Sequence, residues 1–224
     1  MSEILLNVSV IAIPILLAVT LHEAAHGYVA NMLGDPTAKM MGRLSLNPIR
    51  HVDPVGTVIV PALMFFTTGF IFGWAKPVPV TTQNLRHPKR DMIWVALAGP
   101  AANIFLAICG GLLLAVSGVL PDFIQDWFIR NLHFLIFFNI LLAIFNMLPL
   151  PPLDGGRVMT GLLPGPLAYR FAQVERYGLF ILVGLIFLLP MAFRAVGINF
   201  NLFEVLVFRP ARSLYEMSVS VFAG

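Results

Sequence analysis

The feature that most constrains this chain is a group of three ionisable side chains inside a long apolar run. Between Ile4 and Leu33 the only charged residue is Glu23, which directly follows His22 and precedes His26. An ionisable group at bilayer depth costs roughly 2.5–3.5 kcal/mol even on lenient scales. The run must therefore supply an interaction that offsets this cost.

The spacing of the two histidines predicts a metal site. Residues four positions apart lie on the same face of a helix, so both imidazoles can bind one ion. A divalent cation binds neutral imidazoles, and its field stabilises a carboxylate at the adjacent position. The alternative is a histidine pair hydrogen-bonded to neighbouring helices, with Glu23 protonated or paired elsewhere. The apolar setting favours a zinc site, in which Glu23 can reach water held by the metal.

The composition indicates an integral membrane protein. Hydrophobic residues make up 58% of the 224 residues and charged residues only 11%, whereas soluble domains are about 25% charged. The length predicts a single membrane-embedded domain over residues 1–224, with no room for an appended soluble domain. Basic residues in the loops account for the net charge of +3 and are interpreted as topology signals. We expect a multi-pass protein of the cell membrane, in contact with the lipid bilayer and without nucleic-acid partners.

The apolar runs predict an all-α polytopic bundle of about five to six transmembrane or re-entrant helices. Residues 118–131 are predicted to form a loop. The run 55–73 has basic loops on both sides, which favours a re-entrant hairpin slightly over a full crossing. Residues 201–223 are predicted to form an interfacial helix, a short closing helix or a last crossing. The predicted full spans are residues 4–33, 92–117, 133–148 and 177–193.

Two segments are predicted to be short membrane-associated β-strands. The segment from Gly42 to Asn47 alternates polar and apolar residues, as a strand at an interface does. The segment from Trp74 to Val80 is extended around two prolines, and prolines in a sheet belong at an edge.

A catalytic zinc site needs three protein ligands and one open position for water, so two histidines do not complete it. Asp154 is the strongest candidate for the third ligand. It follows a helix-breaking proline run at the end of an apolar span, and two glycines come directly after it. The alternative is a plain turn residue in an Asp-Gly pair, and spacing alone leaves both readings open.

Three motifs in register resemble the site-2 proteases, the membrane-embedded zinc metalloproteases of regulated intramembrane proteolysis. They are His22 to His26, Gly99 to Asn103, and Asn146 through Gly155. The resemblance covers residues 4–157, leaves the C-terminal helices at 177–223 outside it, and looks like the compact prokaryotic branch without PDZ or CBS domains. It implies an intramembrane zinc metalloendopeptidase that cleaves transmembrane protein substrates.

The resemblance also implies roles for individual residues. One zinc ion per chain would be held by His22, His26 and Asp154, with Glu23 as general base on the zinc-bound water. The two strand-like segments would hold an unwound substrate by strand addition, or would be plain turns.

Asn103 and Asn146 are implied to be polar supports near the substrate. Asn103 would donate to the developing oxyanion or hydrogen-bond between helices, and Asn146 would fix the turn before Asp154. A competing hypothesis is a non-catalytic membrane metal-binding protein or zinc transporter, which does not need Glu23 as a base.

Overall fold

The computed structural model of the protein describes residues 3–59, 63 and 76–222. Helices form its regular elements, and we number them α1 to α8 in chain order. They are α1 (Glu3–Met32), α2 (Thr37–Met40), α3 (Pro88–Ala115), α4 (Asp122–Asn146), α5 (Asp154–Leu162), α6 (Gly165–Ala172), α7 (Glu175–Ala195) and α8 (Arg209–Phe222). Short 3₁₀ or π turns occur at Pro48–His51, Pro54–Ile59, Thr82–Asn84, Ser117–Val119, Gly184–Leu188 and Glu204–Phe208.

Four of these helices, α1, α3, α4 and α7, are long and apolar enough to cross a membrane. The predicted all-helical membrane fold is thereby confirmed for the described residues. Helix α8 continues directly from the π turn Glu204–Phe208 and is not among the described helices that are apolar enough to cross a membrane. Its charged residues Arg209, Arg212 and Glu216 favour a closing or interfacial helix. Most of the predicted hairpin at 55–73 lies outside the described residues, and the part that is described contains the π turn Pro54–Ile59.

Helices α1, α3 and α4 pack against one another and form the centre of the bundle. The contact between α3 and α4 is close because Gly110 has no side chain, and a Cβ there would lie 2.9 Å from Cγ1 of Ile136. Helix α8 covers the outside of this pair, where Phe222 lies over Gly111 and Tyr215 hydrogen-bonds to His133 at 2.8 Å. This packing holds one face of α3 against α1.

The predicted β-strands are not found among the described residues. Residues 43–47 and 76–81 have no regular ladder, and Trp74 lies outside the described part. Side-chain carboxylates accept hydrogen bonds from the backbone N–H groups that a β-ladder would use. The N–H of Val78 donates to Glu23 and that of Thr81 donates to Asp35, while prolines at 77 and 79 have no N–H at all. The structure therefore does not support strand addition of a substrate at this segment.

The predicted loop at 118–131 is also wrong for most of its length, because α4 already begins at Asp122. Two of its side chains hydrogen-bond to α1. The indole of Trp127 donates to Oγ of Ser9 at 2.9 Å, and Arg130 donates to Oδ1 of Asn7 at 2.7 Å. These hydrogen bonds let the helix continue through a stretch whose polarity predicts a break.

Candidate metal centre

Three buried side chains from distant parts of the chain meet on the inner face of α1. His22 and His26 lie one helical turn apart, and their Nε2 atoms are 3.1 Å from each other. The Oδ2 atom of Asp154 is 3.2 Å from Nε2 of His22 and 3.3 Å from Nε2 of His26. Each of the three residues is no more than 6% exposed. The fold thus brings together the three residues that the sequence suggests as metal ligands.

Asp154 reaches the histidines because the chain turns back after α4. The three prolines between Leu148 and Leu153 cannot continue a helix, and α5 begins at Asp154. A Cβ atom at Gly155 or Gly156 would overlap the backbone of residues 147–151. Only glycine therefore lets the first turn of α5 lie against the proline loop and present the carboxylate to α1.

The outer nitrogen of each imidazole is fixed by a hydrogen bond. Nδ1 of His26 donates to the backbone carbonyl of Val95 at 2.7 Å, and Nδ1 of His22 donates to Oδ1 of Asn103 at 2.6 Å. A carbonyl oxygen only accepts, so in each neutral ring the proton is on Nδ1. Nε2 of both rings then presents a lone pair toward Asp154.

The orientation of the Asn103 amide follows from its other contacts. Asn103 is fully buried on α3, and its Nδ2 donates to the carbonyl of Ala18 at 3.3 Å and to Oδ1 of Asn139 at 2.8 Å. Nδ2 of Asn139 in turn donates to the carbonyl of Leu135 at 2.9 Å. Because backbone carbonyls lie at both ends of this network, Oδ1 of Asn103 has to face His22.

Asn139 and Val95 are functional partners that sequence analysis misses. Asn139 lies in the apolar run between Phe134 and Phe145, and an amide in such a run is a signal for an interhelical contact. Val95 contributes only its backbone carbonyl, so its side chain carries no signal. The Val95 carbonyl orients the His26 ring directly, and Asn139 orients the Asn103 amide that accepts from His22.

The donor set fits a zinc ion. The two Nε2 lone pairs and the Asp154 carboxylate face one another, and Oδ2 of Asp154 is buried without a hydrogen-bond partner. Such a group of acceptors repels itself unless a cation lies between its members. In a tetrahedral zinc site with bonds of about 2.0–2.2 Å, ligand atoms lie about 3.3–3.6 Å apart. The observed separations of 3.1–3.3 Å are close to that range.

Gly99 gives the two rings room against α3. A Cβ atom at this position would lie 2.6 Å from Cε1 of His22 and would overlap Nε2 of His26. The segment from Gly99 to Asn103 therefore contributes twice to the site, with space at one end and a hydrogen-bond acceptor at the other.

Glu23 and Asn146, the other two residues that the sequence analysis assigns to the site, hydrogen-bond to other parts of the chain. Glu23 is half-buried, and its Oε2 accepts the backbone N–H of Val78 at 2.7 Å. Asn146, at the end of α4, donates from Nδ2 to the carbonyl of Leu142 at 3.0 Å within its own helix. The second oxygen of Asp154, Oδ1, is 4.0 Å from the half-exposed guanidinium of Arg157.

A histidine pair and a glutamate in the pattern HExxH on a long apolar helix, with a buried carboxylate from the start of a distant helix facing both rings, are typical of a membrane-embedded zinc metalloprotease. Comparison with known proteins agrees. The family model described as Peptidase family M50 matches residues 122–191. The "Putative zinc metalloprotease YwhC" of Bacillus subtilis is 38% identical over 193 residues, which cover 81% of each chain. The chain belongs to peptidase family M50, the site-2 proteases, as the sequence motifs predict.

Two further relatives extend the likeness. The "Putative zinc metalloprotease Rip2" of Mycolicibacterium smegmatis is 30% identical over 171 residues, covering 76% of this chain and 64% of that protein. The "Zinc metalloprotease MJ0392" of Methanocaldococcus jannaschii is 26% identical over 161 residues, covering 72% of this chain and 36% of that protein. No solved structure matches the chain. Family membership confirms the predicted enzyme class over the non-catalytic alternative.

Proposed function

We propose that the protein is an intramembrane zinc endopeptidase that hydrolyses peptide bonds in or near the transmembrane segments of membrane proteins. The observation that carries this proposal is the set of three lone-pair donors that converge on the inner face of α1. His22 and His26 lie ten and six residues before the end of α1 at Met32, which is about 15 and 9 Å along the helix axis. A site at that depth favours substrates that are themselves embedded in the bilayer, and it makes the cell membrane the expected location.

His22, His26 and Asp154 would hold one zinc ion per chain. When bound, zinc supplies Lewis-acid chemistry that makes water a nucleophile near neutral pH. The chain prepares this site through Asn103 and Val95, which keep the imidazole protons on Nδ1 and leave Nε2 for the metal. The glycine backbone at residue 99 keeps side chains out of the space beside both rings.

Glu23 would act as the general base and general acid. It would take a proton from the attacking water and deliver it to the amine nitrogen of the leaving peptide. Because Oε2 already accepts the N–H of Val78, we assign the proton transfer to Oε1. One oxygen would thus orient the carboxylate while the other reacts.

The two asparagines would support the site through other residues. Asn103 would orient His22, because both of its amide hydrogens already donate to Ala18 and Asn139 and are not available to an oxyanion. Asn146 would cap α4 and fix the start of the proline loop that leads to Asp154.

A substrate transmembrane helix would have to unwind before cleavage. Its peptide carbonyls are shielded by their own helical hydrogen bonds, and an attacking water cannot approach them along the required direction. We expect helix-breaking residues in the substrate near the cleaved bond to increase the rate.

The test compares wild-type protein with Glu23→Gln in lipid vesicles that contain a helical membrane peptide. We expect zinc content per chain to stay the same while cleavage falls by at least about 100-fold, the usual contribution of a general base. Glu216→Gln is the matched control, because Glu216 lies on α8 in an exposed ion pair with Arg212. Cleavage by Glu23→Gln at the wild-type rate, or zinc flux into the vesicles without cleavage, would contradict the proposal.

A further inference from the structure

The segment of residues 76–84, which we call the strap, lies against α1 beside the proposed general base and ends in the 3₁₀ turn Thr82–Asn84. The N–H of Val78 donates to Oε2 of Glu23 at 2.7 Å. Pro77 and Pro79 have no N–H, so Val78 is the only backbone donor in this part of the strap. The position of one N–H group therefore determines how the Glu23 carboxylate is oriented.

One end of the strap is held by a buried carboxylate. Asp35 is 0% exposed, and its Oδ2 accepts the N–H of Thr81 at 2.6 Å. Its Oδ1 accepts Nδ2 of Asn84 at 3.0 Å, together with the N–H of Thr37 at 3.1 Å and the hydroxyl of the same threonine. Both oxygens are thus used by donors, and two of these donors belong to the strap.

The other end of the strap is held by the loop that follows α2. The N–H of Lys76 donates to the carbonyl of His51 at 2.9 Å, and Arg43 donates to the carbonyl of Lys76 at 2.8 Å. Val78 therefore lies between two fixed points, two residues after one and three residues before the other. A short segment with several prolines and both ends fixed has little freedom to move its central N–H.

We propose that Asp35 is a positioning residue for Glu23, acting through Thr81 and the strap to place the N–H of Val78. This inference rests on the proposed role of Glu23 as general base. A general base must lie within hydrogen-bond reach of the proton that it takes, and small displacements lower the rate. Asp35 hydrogen-bonds to Thr37, Thr81 and Asn84 and not to His22, His26 or Asp154, so its effect would be on the rate of the chemical step and not on metal binding.

Asp35→Asn tests this role with little change in size. An amide has only one acceptor oxygen, so one of the two carboxylate oxygens of Asp35 is replaced by an NH₂ group that cannot accept. The variant therefore loses either the hydrogen bond from Thr81 or the hydrogen bonds that Oδ1 accepts. We expect kcat per bound zinc to fall about tenfold, a fraction of what a general base contributes. KM and zinc content should stay within about twofold of wild type, the reproducibility expected where no binding contact changes.

Asp91→Asn is the matched control. Asp91 is also a buried aspartate, 5% exposed, and it accepts the N–H of His87 at the start of α3 without contacting the strap. The Asp91→Asn variant should have the same kcat per bound zinc as wild type. A second variant, Val78→Pro, removes the donor N–H itself, and the double variant with Asp35→Asn should be no slower than the slower single variant.

The outcomes separate the two hypotheses. Wild-type kcat per zinc in Asp35→Asn, an equal loss in Asp91→Asn, or multiplied losses in the double variant would overturn the positioning role. If Glu23→Gln retains cleavage, the proposed function and this inference both fail. If Glu23→Gln is inactive while Asp35→Asn cleaves normally, only the inference about Asp35 fails.

Discussion

Asp35 and Asp154 are two buried carboxylates that follow long helices, and the protein surrounds them differently. Asp35 accepts hydrogen bonds on both oxygens, from Thr37, Thr81 and Asn84. Oδ2 of Asp154 accepts none and faces two imidazole nitrogens instead. The two residues are equally inaccessible, at 0% and 5% exposure, so burial alone does not distinguish them.

The difference distinguishes a carboxylate held by protein donors from one that a cation would have to satisfy. A buried carboxylate without donors costs several kcal/mol of folding free energy. Hydrogen bonds from protein donors offset this cost for Asp35, whereas the proposed zinc ion would have to offset it for Asp154. We expect the two residues to respond in opposite ways to substitution and to metal removal.

The largest effect is expected for Asp154→Ala. Zinc affinity should fall by more than about 100-fold, because losing a ligand exceeds the 10–100-fold effect of losing an outer-shell partner. The melting temperature of the metal-free protein should not fall, since the substitution removes a buried carboxylate whose Oδ2 has no hydrogen-bond donor. Zinc titration and thermal unfolding with a chelator measure the two quantities. Unchanged zinc affinity would mean that Asp154 is not a ligand.

Gly99→Ala tests the other side of the same site. Its Cβ would overlap both imidazoles, and overpacking of this kind typically costs about 1–3 kcal/mol. We expect zinc affinity to fall by about 10–100-fold as the rings are displaced. Gly118→Ala is the control, because a Cβ there meets nothing within 4 Å. Equal zinc affinities for the two variants would contradict the described contact.

Asn103→Leu should lower zinc affinity by no more than Gly99→Ala does. The substitution removes the acceptor for Nδ1 of His22, and losing an outer-shell partner typically lowers metal affinity by about 10–100-fold. Asn131→Leu is a matched control, since this buried asparagine of α4 donates to the carbonyl of Trp127 and not to the site. A loss of zinc affinity in both variants would point to general destabilisation.

The smallest effect is the pH dependence of stability that Asp35 contributes. Burial raises the pKa of its carboxyl, but hydrogen bonds from Thr37, Asn84 and Thr81 outweigh burial and hold that pKa below the ordinary 3.8. The resulting stability is therefore present above about pH 4 and is lost as the pH falls toward the folded-state pKa. Metal-free wild type should lose more melting temperature than Asp35→Asn between pH 6 and pH 3. An equal loss of melting temperature in the two proteins would contradict the lowered pKa of Asp35.

The sequence predicts the parts of the site that follow from short-range rules. The positions of His22 and His26 on one face follow from helix periodicity, and the break before Asp154 follows from proline chemistry. The approach of Asp154 to the two histidines depends on which helices pack together. Helix periodicity does not contain that information. The roles of Asn139 and of the Val95 carbonyl could not be predicted for that reason.

The wrong predictions have a common physical cause. Alternation around Gly42 and the prolines near Val78 predict extended backbone, but they do not say where its hydrogen bonds go. In the fold, Glu23 and Asp35 accept the N–H groups that a strand partner would need. Polarity in 118–131 likewise predicts a loop, because a sequence does not reveal that Arg130 donates to Asn7 of α1.

X-ray absorption at the zinc edge of the purified protein identifies the atoms that bind the ion. If His22, His26 and Asp154 hold zinc, the spectrum should show two imidazoles and one carboxylate among the ligands, with Zn–N and Zn–O distances of about 2.0–2.2 Å. In Asp154→Ala the carboxylate contribution should disappear while both imidazoles remain. A third imidazole, a sulfur ligand from Cys109, or a spectrum unchanged by Asp154→Ala would contradict this set of ligands.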